Sequence, residues 1–290
     1  MIQKIKADVA AILPVKGRPD LLKEALESIM EGTVLPSSIF VVIDSTGKER
    51  QIDQRAAETS FQTFEKIYPE VKYRLLFSEN AGPAGARNTA AKEADEEWIT
   101  FLDSDDLWLP EKLELQFSYL KKRPHLHGVS GLERWIKNGK ILNQPQKLRP
   151  GHGRFLKDSL YRCLVPCSSV MLRKKIFLLE GGFDESFPVC EDYEFWIRFL
   201  SKYPLGLIHR EIAVKRSGTW KQLSQEHSLD RFRIRALLKA GESGVLSEEY
   251  ADEAKKACYE KFSILESGAR KRGNTGDIEE LLLSIRKIFS

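Results

Sequence analysis

Three carboxylates crowd into four residues in the segment Phe101-Leu102-Asp103-Ser104-Asp105-Asp106-Leu107-Trp108. Carboxylates this close repel one another, and a hard divalent cation or a cationic partner relieves that cost, so the cluster reads as a metal site for Mn2+ or Mg2+. The plainer use of such a pair is a helix cap, with Asp105 or Asp106 accepting from free amides ahead of Pro110. Position favours the metal, because a buried strand ending in acids puts them where a diphosphate-bound cation sits. Other reactive side chains carry weaker patterns. Cys163, Cys167 and Cys190 lack paired zinc-site spacing and have no nearby histidine, which makes them buried thiols. Asn80, Gly82 and Gly85 sketch a phosphate loop whose spacing matches neither a dinucleotide fingerprint nor a P-loop. Trp135, Trp196 and Trp220 offer faces for stacking on sugar rings, although Trp196, on an apolar helix face, reads as core.

The elements that must hold the acidic segment follow from periodicity. Asp8 to Val15 is too short for a helix and is bounded by Pro14 and Gly17, as a strand buried on both faces would be. Pro19 then opens a helix with Leu22, Ala25, Leu26, Ile29 and Met30 on one face and Gly32 as its stop. Ile39 to Ile43, Val71 to Phe77 and Trp98 to Leu102 repeat the strand pattern. A helix from Ile52 to Ile67, with Ile52, Ala56, Phe64 and Ile67 apolar, and another from Ala84 to Ala94 separate them. This alternation predicts an α/β fold with parallel strands and right-handed crossovers. Ligands then bind beyond the carboxyl ends of the strands, at Lys16–Arg18, Asp44–Gly47, Asn80–Arg87 and Asp103–Asp106.

Further along, the pattern predicts a helix from Pro110 to Arg123, a hairpin over Trp135–Leu142 turning at Asn138-Gly139, and a loop from Gln144 to Gly153. A short strand ends at Leu172, a helix closes before Gly181-Gly182, and another helix covers Asp192–Tyr203. Ile208 to Lys215 is a late strand, and beyond Ser224 the spacing of Leu246, Tyr250, Ala254, Cys258 and Leu265 is helical.

Taken in order, these residues resemble the family-2 glycosyltransferases, inverting enzymes of the GT-A fold. The likeness lies in Leu13-Pro14, Arg18-Pro19 and Ala25-Leu26-Glu27-Ser28-Ile29, then Val41-Val42-Ile43-Asp44, then Glu79-Asn80 with Ala86-Arg87-Asn88. It continues in the Asp-x-Asp element from Phe101 to Asp106 with Trp108, Pro110 and Lys112, and in Gly182-Phe183-Asp184-Glu185 with Glu191-Asp192 and Trp196. The landmarks span roughly residues 9 to 224.

The resemblance implies a nucleoside-diphosphate sugar as donor, a UDP-sugar before others, and assigns Pro14, Asp44, Arg87 and Asp103 to binding it. Asp44 would accept from the nucleobase, Arg87 would fork onto the diphosphate, and Asp103 would meet the ribose or sugar. Asp105 would hold the metal. Asp192 would be the general base that takes the acceptor hydroxyl's proton as the new bond forms, with Glu191 fixing the helix start or meeting the acceptor. Two departures matter: Ile43 stands where many relatives have an acid, and Lys215-Arg216-Ser217-Gly218-Thr219-Trp220-Lys221-Gln222 lacks the histidine expected after the last strand. Lys215, Arg216 or Lys221 would then neutralise the diphosphate, or waters would complete the metal shell, or activity would fall. His209 and His227 flank the stretch and read as structural. The departures motivate a second reading, a non-catalytic nucleotide-sugar or glycan-binding module on the same fold.

Composition fits either reading. With 290 residues, 42% hydrophobic and 30% charged, the chain suits a folded protein rather than a disordered one. A net charge of +4 is too small to imply a nucleic-acid partner and leaves room for peripheral contact with an anionic membrane, including through Arg231–Arg235. No apolar run approaches the roughly 20 residues of a spanning helix. Four cysteines and no charged, apolar leader before the first strand suit a reducing cytoplasm. Cell-surface glycan assembly, with a glycan or lipid-linked acceptor, is the activity that family analogy suggests. The expected organisation is a glycosyltransferase domain over 1–223, divided into a nucleotide-binding half (1–106) and an acceptor half (107–223), with a helical appendage over 224–290.

Overall fold

The structure is a computed structural model that describes residues 4–78, 80, 82–220, 222, 229–272 and 278–289. Its strands are β1 (Ile5–Val15), β2 (Val34–Ile43), β3 (Lys72–Phe77), β4 (Trp98–Phe101), β5 (Leu107–Trp108), β6 (Gly128–Lys137), β7 (Lys140–Leu142), β8 (Met171–Arg173) and β9 (Gly206–Ser217). The helices are α1 (Pro19–Met30), α2 (Gly47–Ile67), α3 (Pro83–Glu93), α4 (Lys112–Lys121), α5 (Leu156–Tyr161), α6 (Lys174–Leu179), α7 (Glu191–Lys202), α8 (Leu229–Glu242), α9 (Glu248–Arg272) and α10 (Ile278–Ile288).

One sheet runs in the order β3-β2-β1-β4-β8-β6-β9-β5, with β7 paired to β6. The expected parallel arrangement holds across β3, β2, β1 and β4. Beyond β4 the sheet is mixed: β8 is antiparallel to β4 and β6, β9 is parallel to β6, and β5 is antiparallel to β9. The predicted hairpin joins β6 to β7, and its turn takes left-handed backbone at Asn138 (φ 48°) and Gly139 (φ 75°), as a two-residue connection between twisted strands requires. β2 begins before the apolar run, passing through Pro36 where the β1–β2 register shifts between Ala7 and Ala10. Such an irregularity is where a strand tolerates a residue without an amide hydrogen.

The alternation of β1 separates two cores. Ala10 and Ile12 face a cluster with α3, α5, α6 and α7, while Val9, Ala11 and Leu13 face one with α1, α2 and α4. The helices beyond Leu229 belong to the first cluster: Ile234, Leu237, Ala254, Cys258 and Ile285 are buried in the same mass as Phe195, Trp196 and Phe199 of α7. The boundary expected at 223/224 falls outside the described residues.

One helix expectation is corrected. α2 starts at Gly47, and its inward face is Asp53, Ala57, Ser60, Phe61 and Phe64, whereas Ile52 and Ile67 are 52% and 44% exposed. An inward aspartate defeats a search for apolar spacing, because its burial is supported by hydrogen bonds from distant loops. α6 (Lys174–Leu179) ends with Glu180 as its cap, ahead of Gly181-Gly182 as expected. Among the described residues no helix is long and apolar enough to cross a membrane.

Candidate active site

The four suspected segments do gather at the carboxyl ends of β1, β2, β3 and β4, joined there by the N-termini of α3 and α7 and the end of β9. Asp53 on α2 organises the first two. Its buried carboxylate accepts from the amides of Gly17 (2.7 Å) and Arg18 (3.2 Å) and from the hydroxyl of Ser45 (2.7 Å), tying the loop after β1 to the loop after β2. Pro14 lies one residue before the end of β1, opposite Val42 of β2. Asp44, expected to meet a nucleobase, has both oxygens within reach of the Gly82 amide (3.0 and 2.9 Å), and Lys16 stands 3.6 Å from it.

Arg87 links the early and late halves. Its guanidinium donates to Asp103 Oδ1 at 2.5 Å and to Glu191 Oε1 at 2.7 Å. At 4% exposure it is a buried bridge and not the open crevice residue that its loop position suggested. Its neighbour Asn88 fixes the second landmark segment, donating to the carbonyl of Phe183 (2.8 Å) and to Glu185 (2.8 Å) while accepting from the Phe183 amide (2.9 Å). Gly182 is required at this junction: its φ is 68°, and a Cβ there would meet Asn88 Oδ1 at 2.6 Å.

Asp192 follows Glu191 in the first turn of α7. Its Oδ2 accepts from the Cys163 thiol at 3.3 Å, and its Oδ1 caps the Tyr193 amide at 2.7 Å. Cys190 enters the helix with left-handed backbone (φ 62°), which turns the acidic pair inward. Burial pushes Glu191 up to about 7, with Arg87 pulling it down and Asp192 pushing it further up. Asp103 and Glu191, the neighbour of Asp192, are thus drawn together through one guanidinium, although 16 and 104 residues separate Arg87 from its two partners.

The rest of the acid triplet is held by donors. Asp106 is buried, accepts from Ser168 Oγ (2.7 Å) and from the Arg216 amide (3.0 Å), and is pushed well above the carboxylate range by burial and by Asp103, Asp105 and Glu133. Asp105 Oδ2 pairs with Arg18 Nη1 (2.9 Å) and accepts from Trp220 Nε1 (2.9 Å) and Gln222 Nε2 (2.9 Å). Trp220, read as a sugar-stacking residue, thus turns its N–H onto the acid. Arg216 donates to the Asp105 carbonyl at 2.6 Å and pairs with Glu24, so it braces the loop. Behind the triplet, fully buried Lys112 donates to Thr100 (2.8 Å) and Gln116 (2.7 Å) and lies 4.1 Å from the Trp108 ring centre. Trp108 in turn donates to the Ser168 carbonyl (3.1 Å), so a buried polar layer fixes the residue that holds Asp106.

The metal assignment of Asp105 meets this geometry with difficulty. An oxygen already facing a guanidinium and two N–H donors does not fit a preformed metal ligand, and among the described residues no group of three His, Cys, Asp or Glu is arranged to hold an ion. Glu79, Lys221 and His227 lie outside the described residues.

Sequence reasoning passed over Asp53, Glu133 and the positioning role of Ser168. Glu133 on β6 is buried, accepts from Trp135 Nε1 (3.0 Å), and is pushed upward by burial. Lys215, the residue before Arg216, opens to solvent beside Trp135, its ammonium 5.8 Å from the indole centre. Crowding works against its charge, but Glu133, Asp106, Asp103 and Asp192 together hold it above the ordinary lysine range.

With that geometry in hand, the comparisons assign the class. A mixed sheet with acids at its strand ends and helices on both faces defines a GT-A fold, and the family model described as "Glycosyl transferase family 2" matches residues 10–177. The chain belongs to that family. It is 29% identical over 205 residues to UDP-Glc:alpha-D-GlcNAc-diphosphoundecaprenol beta-1,3-glucosyltransferase WfgD of Escherichia coli, covering 69% of this chain and 73% of that protein. It is 28% identical over 213 residues to an uncharacterized glycosyltransferase of Rickettsia felis, of which the match covers 33%. The chain therefore spans about a third of some of its curated relatives. Among solved structures it resembles S. aureus TarS 1-349 in complex with UDP-GlcNAc, with a TM-score of 0.70 at 16% identity over 97% of this chain and 80% of that one. Mannosyltransferase PcManGT from Pyrobaculum calidifontis, in complex with GDP-Man and Mn2+, follows at a TM-score of 0.55 and 15% identity, over 96% and 86% of the two chains.

Proposed function

We propose that the protein is an inverting transferase that moves a sugar from a UDP-sugar to an acceptor hydroxyl, with Asp192 as general base. The observation that carries this reading is the Arg87 bridge, which joins Asp103 on the donor side to Glu191, the residue beside the base. In the proposed step Asp192 takes the proton of the acceptor hydroxyl, whose oxygen bonds to the anomeric carbon on the face opposite the diphosphate. The bond from that carbon to the diphosphate oxygen breaks, and its electron pair leaves with UDP. Arg18, paired with Asp105 at 2.9 Å, is the cation near the point where that charge appears, and a fixed charge aimed there stabilises it. The divalent cation that the resemblance implies gains no support from the donors around Asp105, so no step is routed through it.

A UDP-sugar is favoured because a solved structure of the same fold carries UDP-GlcNAc and a relative's name specifies UDP-Glc. Cell-surface glycan assembly is favoured by WfgD and by the putative teichuronic acid biosynthesis glycosyltransferase TuaG of Bacillus subtilis, 27% identical over 172 residues. A lipid-linked acceptor would bring the enzyme to the membrane surface. Release of UDP from UDP-glucose and UDP-GlcNAc, with polyprenyl-diphosphate sugars as acceptors, tests the reading. Asp192→Asn is expected to lower transfer about 10²–10⁴-fold while UDP binding persists. Binding by the wild type without turnover of any donor would instead support the non-catalytic module.

A further inference from the structure

We propose that Glu133, Trp135 and Lys215 form the subsite for the donor's sugar ring and select a neutral, hydroxylated pyranose. This rests on the transferase reading above and adds which side chains read the sugar. Glu133 and Trp135 stand two residues apart on β6, and Lys215 of β9 is the register partner of Trp135, so the three share one wall of the crevice. Glu133 uses one oxygen to accept from the Trp135 indole, while its other oxygen, Oε1, is buried with no hydrogen-bond partner among the described residues. The residue is only 4% exposed. A buried carboxylate oxygen left unpaired is costly, and a fold keeps one where a ligand supplies the donor.

The wall lies on the donor side. Arg216, the residue after Lys215, donates its amide to Asp106 at 3.0 Å and its guanidinium to the Asp105 carbonyl at 2.6 Å, so the wall abuts the acid triplet. A ring hydroxyl donating to Glu133 Oε1, with Lys215 Nζ donating to a neighbouring ring oxygen, fills both unmet needs and leaves Asp192 free for the acceptor. The same wall argues against an acidic sugar. A uronate placed here would meet Glu133 with Lys215 to offset it, because Arg87 is already committed to Asp103 and Glu191.

Isothermal titration of the full chain with UDP, UDP-glucose, UDP-GlcNAc and UDP-glucuronic acid tests the subsite, because UDP lacks the ring. Glu133→Gln and Lys215→Met are each expected to weaken a neutral UDP-sugar about tenfold while changing UDP less than about twofold. Wild-type protein should bind UDP-glucuronic acid more weakly than the neutral sugars. Lys215 is exposed, so its variant keeps the test valid if the Glu133 change unfolds the chain, which the thermal midpoint reports. Equal losses for UDP and UDP-sugar, or no loss in either variant, would overturn the subsite alone. A wild type that binds neither UDP nor any UDP-sugar would overturn the donor reading itself, and the subsite with it.

Discussion

Arg87 is buried between buried Glu191 and the more exposed Asp103, and its pairing decides how the acids behave. Removing one partner of such a buried set leaves an uncompensated charge, which costs far more than an exposed pair contributes. Glu191 carries the cost in the form of its proton affinity, raised from an ordinary 4.5 to about 7 chiefly by burial. A carboxyl whose folded value lies above its unfolded one stabilises the fold most at low pH, and that contribution disappears as pH rises through about 7. Unfolding by urea should therefore show stability falling between pH 5 and pH 8, and Glu191→Gln should flatten that fall. Asp106 and Glu133 are raised in the same direction, so the variant reduces the slope and does not abolish it. A slope unchanged by the substitution would remove Glu191 from this account. The acids themselves were legible in the sequence, since crowding and strand-end position single out Asp103 and Asp105 and the family resemblance points to Asp192. Their partners were not: Arg18, Trp220 and Gln222 reach Asp105 from loops on two other strands, and nothing in local spacing reports such long-range contacts.

At the scale of elements, the strands and helices of the first hundred residues were legible because periods of 2 and 3.6 survive wherever a face is apolar. α2 is the exception that explains itself. Its inner face carries Asp53 and Ser60 among Ala57, Phe61 and Phe64, so the apolar stripe is broken by the residue that matters most to the site. Asp53 is the hinge pin of the crevice floor, joining the loops after β1 and β2 through three hydrogen bonds. Asp53→Ala leaves two amides and a hydroxyl without their acceptor, which should cost about 2–4 kcal/mol in thermal or urea unfolding. The loosened loops should also raise KM for the nucleotide donor more than they lower kcat. A KM unchanged in a stably folded variant would show that these loops do not shape the donor site. Strand order in the second half was less legible, because β5 and β8 have only 2 and 3 residues, too short to display any period.

For the whole molecule, the helices after Leu229 read in the sequence as an appendage, and their periodicity was clear. Their place in the fold was not, since spacing identifies an apolar face without naming what covers it. α8 packs on α7, the helix that presents Asp192, and Lys239 of α8 pairs with Asp184 and with buried Glu194 at 2.7 Å each. Stripping this layer would remove Ile234, Leu237, Ala254 and Cys258 from the apolar cluster that α7 shares, and burial of each large apolar side chain contributes about 1.5–3 kcal/mol. A chain ending at residue 228 is therefore expected to lack a cooperative thermal transition and to release no UDP; a truncated protein that stays active would mark the helices as dispensable. β9 has a consequence of another kind. It enters the sheet between β5 and β6, whose residues precede it by roughly a hundred and by some eighty positions, and it brings Lys215 and Arg216 with it. A nascent chain leaving the ribosome can pair β1 through β4 early, yet the crevice has no far wall until Ser217 has been made. The last insertion in the sheet is then the event that closes a folded scaffold into a two-walled crevice.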